Sequence, residues 1–160
     1  MAKSRRIRSR RIPHFHQRNN YYCGPAAVQM VVAAFGKRAT QGEIAAVAGT
    51  TKKNGTSTLG LVKTFKSFGL KVEAGNDKKI SDVQRALAKG AVVIVCYTEL
   101  HWNWGHYAIV AGVRGKTIKL IDPAESLGTT VSLRIEKFAA RWNDPLFTKS
   151  HRWAAFVYSK

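Results

Sequence analysis

The residues that could do chemistry begin with Cys23, which stands directly before Gly24-Pro25 and an apolar run ending at Gly36. Proline suits the first turn of a helix and glycine the position past its end. The spacing therefore predicts a helix from about Pro25 to Phe35, with Cys23 at or just before its N-terminus. Unpaired N–H groups and the positive end of the helix dipole favour a thiolate there. Gln17, a little upstream, carries an amide that can donate to a developing oxyanion. A nucleophile at a helix N-terminus with a nearby amide donor is half of an acyl-transfer site.

The other half is a base with a group to orient it. The histidines are His14, His16, His101, His106 and His151. His106 opens an otherwise apolar strand that leads into a hairpin, whereas His101 sits in the loop before it. A three-residue hairpin loop Val113-Arg114-Gly115, with the glycine left-handed, suits the twist of the strands. It would pair Gly112 with Lys116 and set His106 directly opposite Asp122, on one face of the sheet. A two-residue loop would put them on opposite faces. Taken singly, His106 also reads as a core histidine and Asp122-Pro123 as an ordinary turn; with Gln17 and Cys23 they read as one site.

In that site the Cys23 thiolate attacks a carbonyl carbon, and His106 takes and returns the proton. Asp122 fixes the imidazole tautomer. The Gln17 amide and the Cys23 N–H hold the oxyanion, typically a contribution of about 2.7–4 kcal/mol per donor. Trp102 and Trp104, just before the base, either wall a substrate cleft or cover a sheet edge. The expectation is a substrate-binding role for both.

The elements that must position these groups divide along the chain. Thr40-Gln-Gly-Glu43 forms a capping box for a helix ending at Ala48, stopped by Gly49. A third helix begins near Thr58, buries Leu61, Phe65 and Phe68, and closes at Gly69. An edge strand over Leu70–Gly75 turns Leu70, Val72 and Ala74 inward, and Ser81–Gln84 is a second capping box opening a helix to Gly90. Residues 91–97 are apolar on both faces, a central buried strand in which Cys96 is inert packing. Strands over His106–Val113, Thr117–Asp122, Thr129–Leu133 and Trp153–Tyr158 follow, with a helix from Arg134 to Trp142. Helices lead and antiparallel strands follow: an α+β layout with the helical layer packed on the sheet.

The chain has 160 residues, 45% of them hydrophobic, and reads as a basic arm over residues 1–12 before one domain over 13–160. Its net charge of +18 reads as a solvated basic surface able to attract an anionic partner through the arm. Nucleic-acid motifs are absent. Two cysteines make no disulfide framework or zinc pattern, and His14-x-His16 makes no metal site, so neither metal nor cofactor is expected. No secretory signal or membrane span is legible, which points to a cytoplasmic protein.

Gln17-x5-Cys23-Gly-Pro-Ala, Gly105-His106-Tyr-Ala-Ile-Val and Ile121-Asp122-Pro123 together resemble the papain-like peptidases that process double-glycine leader peptides of bacteriocins. The resemblance spans about residues 12 to 156, and Phe138 and Trp142 look like the family's helix after the last motif. It implies a papain-like fold and a free-standing cysteine peptidase acting on a peptide, with Cys23, His106 and Asp122 as the catalytic residues and Gln17 as the oxyanion donor. Two other readings share these residues. One is an acyl or peptidyl transferase with the same triad; the other is a non-catalytic peptide-binding module with a basic surface.

Overall fold

The computed structural model describes residues 10–160. Most of the basic arm, residues 1–9, lies outside the described residues. What remains of that stretch is docked rather than free. The Arg10 guanidinium lies 4.3 Å from the centroid of the Phe35 ring, and Ile12 packs against the core.

The first helix, α1 (Cys23–Ala34), buries nearly its whole length, Gly24–Val28 and Met30–Val32 included. A helix apolar on all sides belongs inside a domain. Beside it, α2 (Gln41–Ala48) is closed by the predicted box: Thr40 Oγ1 accepts from the Glu43 N–H at 3.1 Å, and Glu43 Oε2 accepts from the Thr40 N–H at 2.9 Å. Gly49 ends it in the left-handed region at φ 70°. The third helix, α3 (Thr58–Ser67), starts at Ser57, whose hydroxyl accepts from the Gly60 N–H. Leu61 and Phe65 are buried as expected, while Phe68 caps the helix half-buried.

The strands β1 (Lys71–Gly75), β2 (Val92–Thr98), β3 (Gly105–Arg114), β4 (Thr117–Ile121), β5 (Val131–Arg134) and β8 (Ala154–Tyr158) form one antiparallel sheet in the order β1-β8-β2-β3-β4-β5. Two short strands, β6 (Asn143–Asp144) and β7 (Ser150–His151), pair in a miniature sheet that the sequence pattern does not announce. Within the central strand the alternation is strict. Val92, Ile94 and Cys96 join the core under α1–α3, and Val93, Val95 and Tyr97 join a second core on the other face.

That second core contains Val83 and Ala86 of α4 (Ile80–Ala88) and Phe138 of α5 (Ile135–Arg141). Helices therefore cover both faces, which is why residues 91–97 carry no polar side. Two local expectations fail. The box at Ser81–Gln84 does not form, because α4 begins at Ile80 and Asp82 Oδ2 accepts the Lys79 N–H at 2.8 Å. Ala74 is exposed, since β1 is an edge strand whose far end no helix covers.

Gly60 lies where α3 crosses the end of α2, and a methyl there would be driven into the Ala48 carbonyl oxygen. A backbone neighbour cannot swing aside. The Gly60→Ala variant should lose about 1–3 kcal/mol of stability, despite alanine's better helix propensity, as read by urea unfolding.

Candidate active site

The hairpin between β3 and β4 sets the relation of His106 to Asp122, and it does so by a different register from the one expected. Arg114 pairs with Thr117 across a two-residue turn, with Gly115 at φ 56°. Alone, that turn would send the two side chains to opposite faces. A β-bulge between Val110 and Gly112 shifts the pairing, however, so that Val110 faces Leu120 and Ile109 faces Ile121. Continued toward the start of β3, this register sets Ala108 beside Asp122, with His106 one pleat further along on the same face. The two shifts cancel. His106 Nε2 and Asp122 Oδ1 stand 2.5 Å apart.

His106 is the second residue of β3 and lies at the rim of the sheet. From there the ring shares a cavity wall with Cys23 at the N-terminus of α1, close enough for the sulfur to favour its protonated form. With Nε2 engaged by Asp122, the ring atom left for the sulfur is Nδ1. Burial by itself would discharge the imidazolium. The charge of Cys23, the hydrogen bonds to Asp122 and Cys23, and the charge of Asp122 outweigh burial and push His106 up to about 10.

Asp122 is also buried, which opposes its ionisation. Hydrogen bonding and charge from His106, the Tyr97 hydroxyl and the Ala124 N–H overcome that and hold the carboxyl below the usual carboxylate range. Tyr97 Oη donates to Oδ2 at 2.7 Å, and the Ala124 N–H donates to Oδ1 at 2.8 Å. Tyr97 is a residue that sequence reasoning missed. It pairs directly with His106 across β2 and β3, so only the settled register reveals it.

Gln17 reaches the same place from the N-terminal segment. Its backbone N–H donates to the Pro123 carbonyl and its Nε2 donates to the Asn19 carbonyl, each at 2.8 Å. The second N–H on Nε2 makes no hydrogen bond among the described residues. Its Oε1 is buried and has no partner among the described residues.

A cavity of about 360 Å³ gathers Gln17, Cys23, His106 and Asp122 with Trp102 and Trp104. A second, of about 240 Å³, shares Asn20, Cys23, Trp104 and Gly105 with the first, so the two meet at the sulfur. Both tryptophans stand on the rim, 73% and 53% exposed. Their loop is held from inside: the Glu99 carboxylate accepts the N–H groups of His101 and Trp102, and Arg141 Nη1 donates to the Glu99 carbonyl and Asn103 Oδ1. Neither Glu99 nor Arg141 carries a sequence signal for this role. Gly105 is required at the crossing, because a side chain there would strike the Asp144 carboxylate.

Cys96 is buried and its thiol is pushed up to about 12, chiefly by burial. His14 and His16 bind backbone carbonyls, and among the described residues no group of three or more His, Cys, Asp or Glu side chains could hold a metal ion. No helix among them is long and apolar enough to cross a membrane.

A cysteine at the N-terminus of a buried helix, facing a histidine and an acid on an antiparallel sheet, defines the papain-like class of fold. The chain belongs to the Peptidase C39 family, whose sequence model matches residues 11–152, and it is a cysteine peptidase. An uncharacterised protein of Methanothermobacter thermautotrophicus is 32% identical over 108 residues, 68% of this chain and 69% of that one. The peptidase domain of Streptococcus ComA, a bifunctional ABC transporter involved in quorum sensing, superposes with a TM-score of 0.75 at 20% identity, covering 94% of this chain and all of that one. A double-glycine-motif protease from an AMS/PCAT transporter, solved with its leader peptide, superposes at 0.72 and 19% identity over 96% of each chain. These two likenesses concern the fold.

Removing the Tyr97 hydroxyl leaves Asp122 Oδ2 buried without a donor. Tyr97→Phe should cost about 1–3 kcal/mol in urea unfolding. Asp122 lies below its ordinary value, so its contacts stabilise the fold above that value and are lost as pH falls through the folded one. The acid-unfolding midpoint of Tyr97→Phe should accordingly move to higher pH.

Proposed function

We propose that this peptidase cleaves its substrate through Cys23, His106 and Asp122, with Gln17 as the oxyanion donor, after a Gly-Gly pair in a leader peptide. The observation that carries the reading is the single cavity where these four side chains converge from the N-terminal segment, α1, β3 and the end of β4.

The Cys23 sulfur attacks the carbonyl carbon, and a C–S bond forms as the carbonyl electrons move to oxygen. The second Gln17 amide N–H and the Cys23 backbone N–H stabilise that charge. The His106 imidazolium protonates the departing amine as the C–N bond breaks, leaving a thioester. Water then attacks the thioester while neutral His106 takes its proton, and the C–S bond breaks. Asp122 keeps Nε2 protonated, so that Nδ1 is the atom that exchanges protons with substrate and sulfur.

Specificity for glycine is consistent with the shared rim of the two cavities, where Gly105 presents backbone with no side chain beside Trp104. The leader-peptide complex of the double-glycine-motif protease supports the same substrate class. Trp102 and Trp104 supply large apolar faces on which flanking residues of a peptide can rest.

A peptide library treated with the wild type should yield products ending in glycine, and Cys23→Ala should yield none. Gln17→Ala should lower kcat by about 10²–10³ with the melting curve unchanged. Cleavage surviving in Cys23→Ala would overturn the assignment of the nucleophile, and products without terminal glycine would overturn the specificity. Iodoacetamide should label Cys23 and spare Cys96 in the folded protein, which peptide mapping by mass spectrometry would resolve.

A further inference from the structure

His14 is held at both ring nitrogens. The Gly128 N–H lies 2.9 Å from Nδ1, and a backbone N–H can only donate, so Nδ1 is the bare acceptor. The ring proton therefore sits on Nε2, which donates to the Asp122 carbonyl at 2.8 Å. That carbonyl also takes the Glu125 N–H at 3.2 Å. One imidazole thus bridges the entry and the far side of the turn that follows β4. Three residues on, the Gln17 N–H donates to the Pro123 carbonyl. The segment His14–Gln17 clamps the Asp122-Pro123 corner at two adjacent carbonyls while delivering the Gln17 amide to the cavity.

The clamp falls where the sheet gives no support. Asp122 lies one residue past the end of β4, so no ladder hydrogen bond fixes its backbone. Its side chain must nonetheless stay on His106 Nε2 at 2.5 Å. We propose that His14 is a positioning residue for the reaction: by bridging the Asp122 carbonyl and the Gly128 N–H, it holds the Asp122 carboxylate against His106. This inference rests on the Cys23–His106–Asp122 reading.

Two substitutions separate the bonds. The amide nitrogen of glutamine reaches where Nε2 stands and can donate to the Asp122 carbonyl; the amide oxygen of asparagine occupies the place of Nδ1 and can accept from Gly128. The test is the rate at which iodoacetamide alkylates Cys23 across pH 5–11 in the full-length chain, read by mass spectrometry, beside the ring shifts of His106 by NMR. It needs no substrate.

His14→Ala should slow alkylation at neutral pH about fivefold, the worth of one ordinary hydrogen bond, and should move the His106 titration to lower pH. His14→Gln should recover the wild-type rate within about twofold, and His14→Asn should behave as His14→Ala. A folded His14→Ala with wild-type rate and titration would overturn the role. So would glutamine and asparagine variants that behave alike, and this comparison decides the matter if the alanine variant does not fold. An unchanged alkylation profile in His106→Ala would sink the triad reading and this inference with it. A changed profile there beside an unchanged one in His14→Ala would sink the role of His14 alone.

Discussion

The buried carboxylate of Asp122 is the constraint on which the rest of the site depends. A lone charge in a protein interior costs several kcal/mol, and the cost is tolerable only when hydrogen bonds and an opposite charge offset it. Here His106 and the Ala124 N–H take one oxygen and the Tyr97 hydroxyl takes the other. The donors come from β3, from the turn after β4 and from β2. The carboxylate therefore ties β2 and β3 to the turn that follows β4. If Tyr97 drifts Oδ2 is left bare, and if His106 drifts the carboxylate keeps the Ala124 N–H but loses its cationic partner, so satisfying Asp122 also favours one orientation of the imidazole.

This arrangement explains why the sheet is covered on both sides. Tyr97 points into the layer of α4 and α5, whereas Cys23 belongs to α1 in the opposite layer. Sulfur and base can meet only where the sheet stops. His106 stands at that rim, at the beginning of β3, and α1 presents its N-terminus to the same edge. A histidine further along β3, at the position of Ala108 for instance, would be sealed within the second core. Both cavities lined by Cys23 also include Gly105 at the start of β3, so they open at the same edge.

How much of this was legible in the sequence depends on the range of the forces involved. The cap at Thr40 and Glu43 and the left-handed stop at Gly49 involve neighbours along the chain, and they form as read. The expected box at Ser81–Gln84 fails because the helix starts earlier, at Ile80, where the Asp82 carboxylate caps the Lys79 N–H. The two-faced apolar run at 91–97 correctly implies burial on both sides, yet nothing in it says which helices provide the cover. The pairing of His106 with Asp122 was reached through a register that does not occur. The two-residue turn and the bulge near Ala111 each exchange the faces of the sheet, and a bulge leaves no mark in composition. Tyr97, Glu99 and Arg141 stayed hidden because their partners are set by that register and by a loop, not by spacing.

The two cysteines make a controlled comparison of what an environment does to a thiol. Both line the second cavity, and both carry the same side chain. Cys96 lies within β2, hemmed in by apolar neighbours, where a thiolate would have no positive partner; its nearest polar contact is the Thr148 hydroxyl at 3.7 Å. Burial therefore dominates and holds that thiol protonated. Cys23 stands in the first turn of α1, at the positive end of the helix dipole, with the His106 imidazole, pushed up to about 10, beside it. The charge of Cys23 is the largest of the influences that favour the protonated ring, with the hydrogen bond and the charge of Asp122 behind it, so sulfur, imidazole and carboxylate act as one coupled group.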